Sequence, residues 1–526
     1  MRAMEQRTLL FLGGLAALLL LTLAAALLWR RLYRDDPADT LRTVLKNSAL
    51  PIAANLASRV VDFGFALVVL RLLGPTANGD YATVALAAGL YFVTISNWGL
   101  NDLTVREAAV DAARAPALFS TALLVRCGIA VLLCPLAALL AATYAALGTP
   151  LSAGALLALA LLALHLFPAA LASACSASFQ AAQRMEIPAA VTLTTNVLRA
   201  GVGVLLLAWL NNTDARLAAL GALALAGTLL NGMLLWWLQR RLLFRAPRIW
   251  DSALAGRLLR EGFPLLLNGL LLAVFFRFDI LIMRAVSDVA EVGRYDAAYK
   301  LINLTQIIPP YFVAALFPVL AQRAANDIPG LVRAYRSALV ALQQLAWPAA
   351  LLTTVLASDL IGLVGGREFL PGAASALTVL IWYLPLSYAN GVVQYVLIAV
   401  HRQRAITVAF MVGAALNLGL NVLLIPQYGA LAAAGVTIST EIVLLLAFAR
   451  ALHRAELPLP LVAAAWRPAL GALAGLLAAY FVSPTGGWLA ALAAAAVYGV
   501  VLWASGGVGP EERALARRVL AKVGRG

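Results

Sequence analysis

Charge is what this 526-residue sequence has least of: 12% of its residues are Asp, Glu, Lys or Arg, against 63% that are hydrophobic. Soluble domains carry about a quarter of their residues as charges, so a water-soluble globule is excluded and the chain reads as a polytopic membrane protein. Cysteine is scarce as well. Cys127, Cys134 and Cys175 lie inside apolar runs, with no CxxC spacing and no paired His, which excludes a disulfide framework and a zinc site and leaves them as small packing residues. Enzyme signatures are missing: there is no Walker A, HExxH or GxSxG motif. Gly201-Val202-Gly203 lacks the third glycine of a dinucleotide loop and sits within an apolar helix. The chain is therefore expected not to be an enzyme, with no catalytic residue, no metal ligand and no cofactor, and any work it does must come from gradients or downstream consumption.

The net charge of +15 would suggest nucleic acid in a soluble chain. Here the basic residues gather in short loops between apolar runs, the pattern of the positive-inside rule, so no nucleic-acid partner is expected.

What is present is a tandem duplication. Pro51–Tyr81, PIAANLASRVVDFGFALVVLRLLGPTANGDY, is echoed by Pro264–Asp296, PLLLNGLLLAVFFRFDILIMRAVSDVAEVGRYD. Pro264, Asn268 and Arg284 follow Pro51, Asn55 and Arg71 by 213 positions, and Gly293 and Tyr295 follow Gly79 and Tyr81 by 214, so one inserted residue keeps the copies in register.

Apolar windows of spanning length, broken by Gly, Pro and charge, predict fourteen spans from 48–72 to 487–504. Before them, Leu9–Leu28 is about 20 apolar residues followed at once by Arg30, Arg31 and Arg34, which reads as an uncleaved anchor and not as a signal peptide. The expected fold is all-α: two six-helix lobes in tandem repeat, two C-terminal helices and one N-terminal anchor helix. The corresponding divisions are 1–36 (anchor), 37–238 (first lobe), 239–261 (basic amphipathic linker), 262–455 (second lobe) and 456–526 (two extra spans and a basic tail). If the first span leaves the cytoplasm, roughly 27 of the 39 Lys and Arg fall in cytoplasmic segments, which supports that orientation. Arg513, Arg517, Arg518, Lys522 and Arg525 of the tail would then lie on anionic phospholipid.

The chemistry should rest on ionisable residues inside the spans: Arg59, Asp62, Arg126, Arg199, Arg277, Asp279, Lys300 and Glu441. At about 2.5 to 3.5 kcal/mol each, these groups must face one another or a wet cavity. Five cations against three acids leave a surplus of about two positive charges, which invites an anion. Helical phase groups Asn55, Arg59 and Asp62 in one stripe and Thr192, Asn196 and Arg199 in another. It puts Asn268 and Asp279 on one face and Arg277 nearly opposite. Arg59 with Asp62 also fits an ion pair within one helix, and Arg126, near a span end, fits a snorkelling side chain. Lys300 and Glu441 equally fit interhelical hydrogen bonds, and His165 fits a hydrogen-bonded packing residue better than a proton relay.

RLLGPTANGDY in the first copy, PLLLN, RFDILI and VGRYDAAYKL in the second, and NLGLNVLLIPQYGALAAAGVTIS from Asn417 to Ser439 resemble the polysaccharide-export flippases of the multidrug/oligosaccharidyl-lipid/polysaccharide exporter superfamily. The resemblance covers about residues 38 to 505; the extra N-terminal helix departs from it. It implies a protein of the bacterial cytoplasmic (inner) membrane that moves an undecaprenyl-pyrophosphate-linked oligosaccharide by alternating access, feeding lipopolysaccharide or exopolysaccharide synthesis. Its partners would be that lipid-linked oligosaccharide, anionic phospholipid, and a polysaccharide polymerase or glycosyltransferases. Arg59 and Arg199 would meet the pyrophosphate, with Arg277, Lys300, Asn55 and Asn268 as further substrate-binding candidates. Asp62, Asp279 and Glu441 would be ion-coupling candidates, and Asp279, Tyr295 and Lys300 match the second-copy motif. The residues leave open a drug or organic-cation antiporter of the same superfamily, and a non-transporting membrane scaffold for polysaccharide synthesis.

Overall fold

The computed structural model describes residues 40–245, 250–483 and 486–507, with the side chains of 40–50 and Ala314 outside that description. The N-terminal anchor, part of the linker and the basic tail from Pro510 lie outside the described residues. All secondary structure among the described residues is helical, with no strand. We number the helices α1 Thr40–Leu86, α2 Val93–Asn97, α3 Leu100–Val110, α4 Ala115–Ala146, α5 Ala153–Ala181, α6 Glu186–Trp209, α7 Thr213–Leu242, α8 Ser252–Val286, α9 Val289–Thr305, α10 Ile308–Asn326, α11 Ile328–Val355, α12 Ala357–Val364, α13 Gly372–Leu380, α14 Leu384–Ala399, α15 Gln403–His453, α16 Leu461–Val482 and α17 Gly487–Ala504. Ten helical stretches are each long and apolar enough to cross a hydrocarbon core, so the chain is a multi-pass membrane protein.

Two helices are longer than one crossing and break at glycine. α1 bends at Gly74 (φ 72°), just before Pro75, and α15 at Gly429 (φ 56°), just after Pro426. A positive φ ends a right-handed helix, and glycine adopts it without a Cβ penalty. The break in α15 has a dedicated partner: Glu291 Oε1 accepts from Ala430 N at 2.7 Å, placing a carboxylate at the start of the second half. A Cβ on Gly429 would lie 2.0 Å from that same oxygen.

The chain divides into two compact units meeting at Ala273–Val274, within α8. In the first, α5 packs on α7 through small residues. A Cβ on Gly221 would come 2.9 Å from Ala158 Cα, and one on Gly154 would meet the Asp214 backbone at 2.5 Å. Asp214 Oδ1 also accepts from Gly154 N at 2.9 Å, tying the two helix starts together. Where lipid supplies no hydrophobic drive between helices, such close backbone approach is a main source of association. A second contact joins α3 and α4 to the N-terminal half of α8, with Leu100, Leu103, Leu118, Leu254 and Leu258 at its core. There Trp98 Nε1 donates to Leu259 O at 2.8 Å, and a Cβ on Gly262 would fall 2.3 Å from Trp98 O. In the second unit α16 and α17 pack on α11 around Leu351, Ala472, Ala494 and Tyr498.

Candidate functional site

The first unit brings α1 and α6 together through charge. Arg199 Nη2 lies 2.5 Å from Asp62 Oδ1, with the two side chains 25% and 45% exposed. The guanidinium carbon stands 5.5 Å from the centre of the Phe65 ring, within cation–π range. Its aliphatic stem packs on Gly227 of α7, where a Cβ would come within 3.1 Å of Arg199 Cδ. Arg59 sits one turn before Asp62 and is exposed, and among the described residues it makes no ion pair. The pair within one helix that the spacing of Arg59 and Asp62 allows gives way to an interhelical one, because α6 delivers Arg199 directly onto the carboxylate. Asn55 is exposed one turn further back, and Asn268, its repeat equivalent, is exposed on α8. Thr192 of the expected α6 stripe turns instead to α7, where Asn231 Nδ2 donates to Thr192 Oγ1 at 3.3 Å and to Thr195 Oγ1 at 3.0 Å.

The second unit concentrates its charge on α8 and α9. Asp296 Oδ1 accepts from Arg277 Nη2 at 3.0 Å and its Oδ2 from Lys300 Nζ at 2.5 Å, so one carboxylate holds two cations. Arg277 also lies over the Tyr299 ring at 4.5 Å. Asp279 is buried and accepts from Tyr295 Oη at 2.5 Å, while Tyr295 and Tyr299 pack edge to face at 5.1 Å. Helical phase sets Arg277 against Asp279; in the structure both meet α9, because the paired tyrosines span the angle between them. Asp279 accordingly parts from Asn268, which is exposed. Asp296 is a site residue that the sequence reading passed over, and its signal was there: it stands four residues before Lys300, on the same helical face. Counting it lowers the cation surplus of about two by one.

Glu441, on the second half of α15, is buried and held by α14: Asn390 Nδ2 donates to its Oε2 at 2.6 Å and to its backbone O at 3.0 Å. Asp62, Asp279 and Glu441 are therefore three separate carboxylate environments, paired respectively with an arginine, a tyrosine and an amide.

Arg126 corrects the snorkelling expectation. It is 1% exposed, and its Nη2 donates to Asn97 Oδ1 at 3.1 Å and to Asn101 Oδ1 at 2.5 Å. Its Nε and Nη1 have no hydrogen-bond partner among the described residues. Leaving charge in a low-dielectric interior without compensation costs several kcal/mol, so this site asks for more than two amide oxygens. At the N-terminal end of α8, Arg257 forms a fork onto Glu107 with contacts of 2.7 and 2.8 Å, and Glu261 joins Arg257 at 3.5 Å and Arg106 at 3.1 Å. Hydrogen bonding from the Arg257 guanidinium holds the Glu107 carboxyl below its usual range. Among the described residues no cluster of His, Cys, Asp or Glu has the geometry of a metal site.

The sequence profile of the family described as "Polysaccharide biosynthesis protein" matches residues 44–323, just over half of the chain. The chain belongs to that family. No curated protein matches it significantly. Among solved structures it is similar to a lipid II flippase MurJ in an inward closed conformation, with a TM-score of 0.71 at 14% identity over 86% of this chain and 98% of that one. It is also similar to an inward-facing multidrug resistance MATE family transporter of the MOP superfamily, with a TM-score of 0.60 at 15% identity over 76% and 94%. At these identities the likeness establishes the fold: the polysaccharide biosynthesis family member has the MOP transporter architecture, as the quoted repeat motifs implied. The family match takes in α1 through most of α10, and so contains Asp62, Arg199, Arg277, Asp279, Asp296 and Lys300.

Proposed function

We propose that the protein is a flippase of the bacterial cytoplasmic membrane that moves an undecaprenyl-pyrophosphate-linked oligosaccharide, a polysaccharide precursor, to the outer leaflet by alternating access. The observation that carries this reading is the cation-rich charge clusters inside the spans: Arg199 on Asp62 with the exposed Arg59 one turn before it on the same helix, and Arg277 and Lys300 both on Asp296. In both clusters cations outnumber carboxylates, and cation-rich sites suit a diphosphate better than an organic cation. The family assignment and the fold shared with a lipid II flippase support the same substrate class. Asn55 and Asn268, exposed at equivalent repeat positions, would hydrogen-bond sugar hydroxyls. Asp62, Asp279 and Glu441 would couple an ion to the cycle, glycosyltransferases would supply the substrate and a polymerase would consume it.

The test is reconstitution of the full chain in vesicles carrying a lipid-pyrophosphate oligosaccharide, with arrival at the far leaflet read by a membrane-impermeant lectin or glycosidase. Arg59→Ala and Arg199→Ala should each slow translocation about ten- to hundredfold, the equivalent of one charge-assisted hydrogen bond of about 1.5 to 3 kcal/mol. Lysine at either position should restore only part, since it keeps the charge and loses the planar fork. Vesicles that expel organic cations and leave the lipid-linked glycan where it was would overturn the reading in favour of an antiporter; no transport of either would favour a scaffold.

A further inference from the structure

Arg126 lies on α4 with Asn97 from the end of α2, Asn101 from α3 and Ser173 from α5 gathered round it, all within the first unit. Beside it is a pocket of about 30 Å³, lined by Ser96, Asn97, Arg126 and Ser173 together with Leu166 and Ala170. Holding one water takes about 10 to 15 Å³ of such space, so the pocket has room for a small ion or about two waters. Charge around it is unbalanced: the Ser96 and Ser173 oxygens remain as neutral acceptors, their hydroxyls donating to Arg126 O at 3.5 Å and to Asn101 Oδ1 at 2.9 Å, and the other free groups are donors. Arg126 Nε and Nη1 are buried donors with no partner among the described residues. Both asparagine oxygens are committed to Arg126 Nη2, which leaves their NH₂ groups, donors again, as the remaining amide function. Asn101 Oδ1 is further occupied by the Ser173 hydroxyl at 2.9 Å. No carboxylate pairs with Arg126 among the described residues, although every other intramembrane cation of the candidate list except the exposed Arg59 has one.

A buried guanidinium beside a small, mainly donor-lined pocket has no charged partner among the described residues, and the geometry points to what fills it. We propose that this pocket binds a single small monovalent anion, chloride under physiological conditions, as a resident ion that neutralises Arg126 and locks α2, α3, α4 and α5 together. A pyrophosphate or a sugar exceeds the space, so the site is separate from the substrate-binding candidates and does not depend on the flippase reading. A water molecule fits by size and leaves the charge standing; that is the alternative the experiment must separate.

The full chain is purified into nanodiscs and its thermal unfolding followed by tryptophan fluorescence in sodium chloride, sodium bromide and sodium gluconate at equal ionic strength. An ion that binds only the folded state raises the midpoint with its concentration. Chloride and bromide should raise it in a saturable way, and gluconate, too large for the pocket, should not. Asn97→Asp supplies the missing negative charge at the position now 3.1 Å from Nη2. This variant should express normally, melt at or above the parent's halide-saturated midpoint and lose its halide dependence. Arg126→Gln should lose the dependence too, and if it does not accumulate, Asn97→Asp alone carries the test. Bromide should also give an anomalous scattering peak in the pocket of the parent chain and none in Asn97→Asp. Identical midpoints in halide and gluconate, or a halide response retained by Asn97→Asp, would overturn the proposal and leave a water in the pocket.

Discussion

The Arg199–Asp62 pair separates structure from transport most sharply. Removing Arg199 alone strips Asp62 of its 2.5 Å partner. Breaking a fully buried pair costs about 3 to 5 kcal/mol and an exposed one under about 1. With the side chains 25% and 45% exposed, the pair sits between these limits, and about 2 kcal/mol is the expected loss. Arg59, one turn away, can swing towards the bared carboxylate and recover part of it. Asp62→Ala alone leaves the Arg199 guanidinium without its acceptor and should cost a similar amount. In Arg199→Ala/Asp62→Ala neither charge is left unpaired, so stability should return close to the parent's. Translocation is the discriminating readout: if Arg199 meets the pyrophosphate, the double variant stays slow by about ten- to hundredfold at matched protein level while its melting temperature recovers. The assay is the vesicle translocation measurement with thermal melts on the same preparations. A double variant as active as the parent would refute a substrate role for Arg199 and leave the pair as a strut between α1 and α6.

Three further outcomes are expected. Glu107, held below its usual range by Arg257, contributes stability that is fully present above the unfolded carboxyl value and is lost as pH falls through the depressed folded one. Acid melts of the parent should therefore lose about 1 kcal/mol below pH ~4.5 that Glu107→Gln lacks throughout; equal pH profiles would count against the fork. Gly262→Ala, whose Cβ would fall 2.3 Å from Trp98 O, should destabilise by about 1 to 3 kcal/mol, whereas Gly64→Ala, with nothing within 4 Å, should be close to neutral; denaturant or thermal melts of the two compare them directly. A topology reporter after Gln239 should read cytoplasmic and one at Thr213 periplasmic, and the reverse at either site would invert the orientation drawn from the loop charges.

The fold was legible because its signals are redundant. Apolar length alone marks an all-helical membrane chain, and against the fourteen spans it predicts, ten helical stretches among the described residues are long and apolar enough to cross; the breaks at Gly74 and Gly429 fall in glycine-containing turns of the quoted motifs. The site was legible only in inventory. Composition singled out Arg59, Asp62, Arg199, Arg277, Asp279, Lys300 and Glu441 as costly residues, but which of them meet depends on interhelical packing that a single sequence does not encode locally. Hence the spacing of Arg59 and Asp62 allows an ion pair within one helix, whereas Asp62 meets Arg199, 137 positions away. Asp296 was passed over because it lies near the start of a span, where charge is cheap. Arg126 looked like a span-end residue and proved to be enclosed, since α2 and α3 fold short of a straight crossing and bring Asn97 and Asn101 to it. Phase arguments assume side chains of equal reach, and the long side chain of Arg277, two residues from Asp279, escapes that assumption.

The break at Gly429 also bears on how the chain is made. α15 runs for 51 residues, about 77 Å if it were straight, more than twice a hydrocarbon core. An inserting segment of that kind must be told where to turn, and its own sequence offers Pro426 and a glycine but no charge nearby. The charge comes from Glu291, 139 positions earlier. Because synthesis runs from the N-terminus, α9 is already in the bilayer when Gly429 leaves the ribosome, and its carboxylate is waiting for the N–H of Ala430. The second half of α15 thus starts against a carboxylate supplied by an earlier helix, and Glu291→Ala is expected to misplace the turn at Gly429 during insertion as well as to remove a hydrogen bond.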